Sequence, residues 1–136
     1  MTEPPSISLP QGVRDILPEE ADKIKSVERR LLDVFEGHGF SRVFTPLLEY
    51  LDVLSLGMGE GLKENVLKFV DPSTGRLVAI RPDITPQVAR LVATRMRRHP
   101  LPLKICYNEG VIRNYGPGEN REREILQIGA EYISKK

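Results

Sequence analysis

Two stretches of the chain repeat apolar residues at helical spacing. Ile24, Val27, Leu31, Val34 and Phe35 follow one another at intervals of 3, 4, 3 and 1, which places them on one face of a long helix. Pro18-Glu19-Glu20 reads as its start, and Gly37 and Gly39 as its stop. In the second stretch Thr85 reads as an N-cap and Pro86 as the first helical residue, where its missing N–H costs nothing. Val88, Leu91, Val92, Arg95 and Met96 continue that helix. Strand patterns fill the rest. Residues 40–45 read as a strand running into Pro46, and residues 47–54 as a short helix or an irregular connector. Residues 66–70 and 77–80 form two strands around the turn Asp71-Pro72-Ser73-Thr74-Gly75. Residues 103–107 and 111–113 lead outward to a long polar loop, Asn114-Tyr115-Gly116-Pro117-Gly118-Glu119-Asn120, and residues 124–133 return. On the returning strand a period of two puts Ile125, Gln127, Gly129 and Glu131 on one face and Leu126, Ile128, Ala130 and Tyr132 on the other.

That alternation brings in candidate chemistry. Gln127 and Glu131 with Gly129 between them read as a groove floor open to close approach of a ligand, a solvated face being the alternative. Asp83 falls in the short loop between a strand and the Thr85 helix, where a carboxylate and a hydroxyl either point at a bound amine or polar ring or merely cap the helix. Arg113 ends the outgoing strand beside a glycine-containing loop, a place suited to an anion clamp because a guanidinium offers a fixed fork of donors.

Composition narrows the classes. A chain of 136 residues is one domain's worth, with residues 1–10, rich in proline and serine, expected to be flexible and residues 11–136 expected to form the domain. Twenty basic against 19 acidic side chains give a net charge of +1, so nothing global draws the chain to nucleic acid or an anionic membrane. No apolar run approaches the roughly 18 residues a membrane helix needs, and the first residues lack the pattern of a signal peptide, so a cytoplasmic location is expected. Cys106, the sole cysteine, lies in an apolar strand pattern and reads as a packed core thiol. His38 and His99 stand singly, with no acid or second histidine at metal spacing, and no Ser-His or Cys-His pair points to nucleophilic catalysis. Gly57-Met58-Gly59-Glu60-Gly61 matches neither a dinucleotide nor a P-loop spacing and reads as a flexible loop. The cluster Arg95-Met96-Arg97-Arg98-His99 suits a helix C-terminus without any RNA partner.

Taken together, Leu9-Pro10-Gln11-Gly12-Val13-Arg14-Asp15, the long helix with Gly39-Phe40, and Thr45-Pro46-Leu47-Leu48-Glu49 resemble the opening and motif 1 of class II aminoacyl-tRNA synthetases of the histidyl branch and of the synthetase-like branch descended from it. Residues 107–113, the loop, and Gln127-Ile128-Gly129-Ala130-Glu131 resemble motif 2. The resemblance covers most of the chain. It implies an α+β fold, an antiparallel sheet flanked by helices, which is incomplete here because further core strands and a second histidine-contacting loop are expected beyond Lys136. It also implies self-association through motif 1.

Two departures from the synthetase pattern point to the regulatory branch. Synthetases usually read Arg-Pro-Glu-Gly-Thr where this chain has Arg81-Pro82-Asp83-Ile84-Thr85, and residues 83–90 look like the regulatory subunit of ATP phosphoribosyltransferase. In motif 2 the pattern Arg-x-Glu becomes Arg113-Asn114-Tyr115, and Ile125 stands where an aromatic residue stacks on adenine. Losing both contacts is expected to remove a few kcal/mol of nucleotide binding, enough to abolish useful activation chemistry. The resemblance implies a non-catalytic subunit that works with a short-form catalytic ATP phosphoribosyltransferase subunit in the first step of histidine biosynthesis and takes histidine as effector. No catalytic residue, metal or cofactor is expected, and tRNA is not expected as a partner. Asp83, Thr85, Gln127 and Glu131 fall on positions that contact histidine in the synthetases, and Arg113 is placed to meet its carboxylate. The alternatives are a synthetase catalytic domain that activates histidine with ATP and Mg²⁺, and a dimerisation scaffold with a vestigial pocket.

Overall fold

The long periodic segment forms helix α1 (Pro18–Gly37) and stops at its glycines. Phe40 N–H reaches back to the Phe35 carbonyl and Gly39 N–H to that of Glu36, both at 3.0 Å, while Gly39 takes φ 84°. This is a Schellman turn, sealed by the Phe35 and Phe40 rings 6.2 Å apart. The computed structural model describes residues 7–136, so most of the segment expected to be flexible, residues 1–6, lies outside the described residues. Residues 7–10 are exposed and form neither helix nor strand.

After α1 come β1 (Ser41–Arg42), β2 (Leu48–Tyr50), α2 (Leu51–Ser55), α3 (Glu60–Glu64), β3 (Lys68–Val70) and β4 (Leu77–Ile80). Then follow α4 (Thr85–Thr94), β5 (Leu103–Ile112) and β6 (Glu124–Ile133). The strands make two three-stranded sheets, in the orders β1-β5-β6 and β2-β4-β3. The second is antiparallel throughout, and its β3–β4 turn is built as expected: the Asp71 carboxylate accepts Ser73 N–H and the Thr74 hydroxyl, and Gly75 adopts φ 70°. The first sheet is antiparallel between its two long strands and gains a short parallel neighbour. β5 and β6 pair antiparallel from Leu103↔Ile133 to Ile112↔Glu124, whereas β1 lies parallel to β5. A parallel neighbour needs a long crossover, and the 60 residues between Arg42 and Leu103 supply it.

Other boundaries differ from the sequence reading for physical reasons. The outgoing strand runs unbroken through Gly110 because β6 pairs with all of it. Residues 40–45 keep only two residues in ladder pairing, because Thr45 turns to give its backbone N–H and hydroxyl to Glu109 Oε2. Residues 47–54 divide into a strand and a helix. The glycine cluster is partly structured: Met58 is buried, α3 starts at Glu60, and a Cβ on Gly57 would lie 3.1 Å from Pro86. Thr85 is not the N-cap of α4. Ile84 holds that place with no side-chain cap, because the Thr85 hydroxyl is used elsewhere. The helix ends at Thr94, two residues before the pattern does, with the Arg95 and Met96 N–H groups both on the Leu91 carbonyl.

Register and parity sort the first sheet into two faces. Ile105, Tyr107 and Val111 join Ile84 and Val88 in one core under α4. Cys106 faces the other way, fully buried near α1, and burial pushes its thiol above the usual range with the Glu36 charge adding to the effect. A smaller core forms from Leu54, Met58, Val66 and Ala79. The α1 stripe is the main surprise. Val27, Leu31 and Val34 are 56%, 38% and 57% exposed, while Glu28 and Leu32 are the buried positions. Ile24, Val27 and Leu31 instead line an open apolar groove with Leu126 and Ile128 of β6.

Candidate functional site

The site lies where the loop before α4 meets β6. Arg81 anchors that loop. Arg81 is 5% exposed, and its guanidinium donates to the carbonyls of Gly110 and Thr45, both at 2.8 Å, and to Glu109 Oε2 at 3.0 Å. Backbone bonds continue the clamp, from Ile112 N–H to the Arg81 carbonyl and from Arg81 N–H to that of Leu47. Beneath α4, Gln87 Nε2 donates to the Pro46 carbonyl and Arg90 Nε to Glu49 Oε2, each within 2.8 Å. A buried cation tied to one carboxylate and several carbonyls leaves the loop a single position.

On this frame the four residues singled out for histidine come together. Gln127 is the link between elements: its Oε1 accepts Ile84 N–H at 3.0 Å and its Nε2 donates to Asp83 Oδ1 at 2.8 Å. Asp83 Oδ1 also receives Thr85 N–H at 3.4 Å, a long bond that leaves capping a minor role. The Thr85 hydroxyl donates to Glu131 Oε1 at 2.8 Å. Gln127, Gly129 and Glu131 therefore do share one face of β6, as the period of two requires, and that face looks at the loop and not at open solvent. Arg113 sits one residue beyond β5 with Nε on the Pro82 carbonyl at 3.1 Å, at the Asp83 end of the site.

Tyr107 was missed by sequence reasoning. It lies directly across the ladder from Gly129, and its hydroxyl reaches Glu131 Oε1 at 3.2 Å and Thr85 Oγ1 at 3.4 Å. Burial raises its pKa, with the Glu131 charge acting in the same direction and the Thr85 hydrogen bond opposing it. A Cβ on Gly129 would sit 2.6 Å from Tyr107 Oη, so the space at Gly129 is filled by this ring and not by a ligand. The alternation of β5 marks Tyr107 as one face or the other, but only the register with β6 places it at the site.

The arrangement has a definite donor and acceptor balance. Asp83 and Glu131 each commit one carboxylate oxygen within the protein, and among the described residues neither Asp83 Oδ2 nor Glu131 Oε2 has a hydrogen-bond partner. Arg113 uses Nε alone in the same sense. The site can thus accept two separate N–H donors and offer a guanidinium fork to an anion.

Comparison with known proteins places this geometry. A family model described as histidyl-tRNA synthetase matches residues 12–136. The chain is 52% identical over 135 residues to an ATP phosphoribosyltransferase regulatory subunit of Geobacter metallireducens, covering 98% of this chain and 31% of that one. It is 50% identical over 125 residues to the subunit of the same name from Geobacter sulfurreducens, covering 92% and 28%. Among solved structures, an ATP phosphoribosyltransferase regulatory subunit/histidyl-tRNA synthetase from Bacillus halodurans superposes with a TM-score of 0.86 at 29% identity, over 100% of this chain and 34% of that one. Apo histidyl-tRNA synthetase of S. aureus gives a TM-score of 0.76 at 28% identity, over 93% and 29%. The chain spans about a third of the length of the curated relatives it matches. Helices on mixed and antiparallel sheets, matching these structures along nearly the whole chain, make the fold α+β and class II synthetase-like. The chain belongs to the histidyl-tRNA synthetase family.

Proposed function

We propose that this chain forms the histidine-sensing part of a non-catalytic regulatory subunit, which acts with a short-form catalytic ATP phosphoribosyltransferase in the first step of histidine biosynthesis. The observation that carries the reading is the pair of carboxylate oxygens without a partner among the described residues, Asp83 Oδ2 and Glu131 Oε2, with the Arg113 side chain on the neighbouring Pro82 carbonyl. Histidine presents an ammonium, a ring N–H and a carboxylate, which answer those three groups in kind. The names of the two Geobacter relatives, both ATP phosphoribosyltransferase regulatory subunits, support the regulatory role. So does motif 2, where Tyr115 replaces the synthetase glutamate and packs its ring 5.1 Å from the Arg121 guanidinium. Feedback requires that histidine bind one state of the assembly better than another, and a tenfold preference is about 1.4 kcal/mol of coupling.

The test mixes the full natural protein carrying this sequence with the short-form transferase of the same organism and follows phosphoribosyl-ATP formation. Activity that needs both proteins and falls on adding histidine is the expected result. A transferase indifferent to the added protein overturns the reading. The synthetase alternative draws on the same retained pocket, and histidine-dependent exchange of pyrophosphate into ATP is the result that favours it.

A further inference from the structure

Glu131 is held by two hydroxyls on the same oxygen. Thr85 Oγ1 and Tyr107 Oη both donate to Oε1, at 2.8 and 3.2 Å, and they lie 3.4 Å from each other. Two donors on one oxygen restrain the carboxylate and leave its other oxygen, Oε2, without a partner among the described residues and able to accept. Tyr107 comes from β5, Glu131 from β6 and Thr85 from α4, so each of the three elements contributes one group. The ring of Tyr107 can lie across β6 only because residue 129 has no side chain: a Cβ there would come within 2.6 Å of Oη, 2.8 Å of Cζ and 3.0 Å of Cε2. Tyr107 is 4% exposed, so its hydroxyl is polar material brought into a core whose other members are apolar. A phenylalanine would fill the same space with no polar group to satisfy. The hydroxyl is instead spent on the polar groups of the site, on Glu131 Oε1 beside Thr85 Oγ1.

We propose that Tyr107, in the space left by Gly129, is a positioning residue that orients Glu131 to accept a ring N–H from the bound amino acid. The inference rests on the histidine reading above and names the residue that makes the site selective for a ring bearing an N–H. Thr85 shares the task from the α4 side, so removing the tyrosine hydroxyl weakens the orientation without abolishing it.

The test compares the full natural protein with its Tyr107→Phe variant. Histidine affinity is measured by calorimetry, the ring ¹⁵N–H resonances of saturating labelled histidine by NMR, and the melting midpoint by circular dichroism. The expected result is a variant that melts with the parent, binds histidine about fivefold to tenfold more weakly, and shows a shifted ring N–H resonance. Gly129→Ala, which pushes the ring away while keeping the hydroxyl, is expected to move affinity and resonance in the same direction. Unchanged affinity in Tyr107→Phe overturns the proposal. So does weaker binding with the ring resonance where the parent has it, or a loss of binding matched by a lower melting midpoint, since either marks Tyr107 as packing alone. Failure of the unsubstituted protein to bind histidine is a different outcome: it overturns the histidine reading itself, and this inference with it.

Discussion

At Asp83 two roles compete, helix cap and ligand acceptor, and bond lengths separate them. The bond from Thr85 N–H is 3.4 Å, while that from Gln127 Nε2 is 2.8 Å. The carboxylate is therefore tied to β6 more than to its own helix. Asp83→Ala is expected to cut histidine affinity at least about tenfold while changing the unfolding free energy by less than about 1 kcal/mol, below the usual cost of a lost cap. Calorimetry and denaturant unfolding on the same variant check it, and a stability loss of about 2 kcal/mol with affinity kept would return Asp83 to capping. Short-range signals singled out Asp83, Thr85, Gln127 and Glu131, a strand-to-helix loop for the first two and an alternation interrupted by glycine for the others, while their common role came from the resemblance to the synthetases. Tyr107 was not singled out, because an aromatic residue in a strand is core by default and nothing local says which residue faces it.

The elements carry the site through Arg81. It is the residue before Pro82 in a loop that looks merely polar, yet its side chain joins the chain near Thr45 to β5 at Gly110 and Glu109. Arg81→Ala leaves the Glu109 carboxylate, 16% exposed, without its cation and several carbonyls without a donor. Such a loss is expected to destabilise the fold by about 3–5 kcal/mol, and chemical denaturation of the purified variant reads it directly. Because the loop would then be free to move, histidine binding should fall with it. Helix α1 and its Schellman end were legible, since periodicity and a positive-φ glycine act over a few residues. The parallel seat of β1 beside β5 was not, because it depends on how a long crossover closes and not on any pattern in residues 40–45.

Over the whole molecule, a buried thiol and a buried phenol set an alkaline limit. The folded state holds protons on Cys106 and Tyr107 more tightly than the unfolded chain does, because burial disfavours both anions. Stability is thus fully present below the ordinary thiol range and is lost as the pH rises through the raised values. Denaturant unfolding between pH 7 and about pH 10.5 is expected to show a plateau and then a decline, and rising stability across that interval would contradict the burial of Cys106. No described helix is long and apolar enough to cross a membrane. The exposed stripe of α1 shows where sequence and structure divide. The sequence alone determined that a stripe exists and where the two long helices and most strands run, because each follows from contacts within a turn or a two-residue repeat, while the grouping of Asp83, Thr85, Gln127 and Glu131 rested on the resemblance to the synthetases. Only the tertiary structure decided that the stripe stays half open, that Arg81 locks the loop, and that Tyr107 and Gly129 share the space beneath Glu131. The last two outcomes join residues 22 to 36 positions apart, as between Tyr107 and Gly129 or Arg81 and Thr45, and the pairing of distant strands, which no local pattern encodes, sets them.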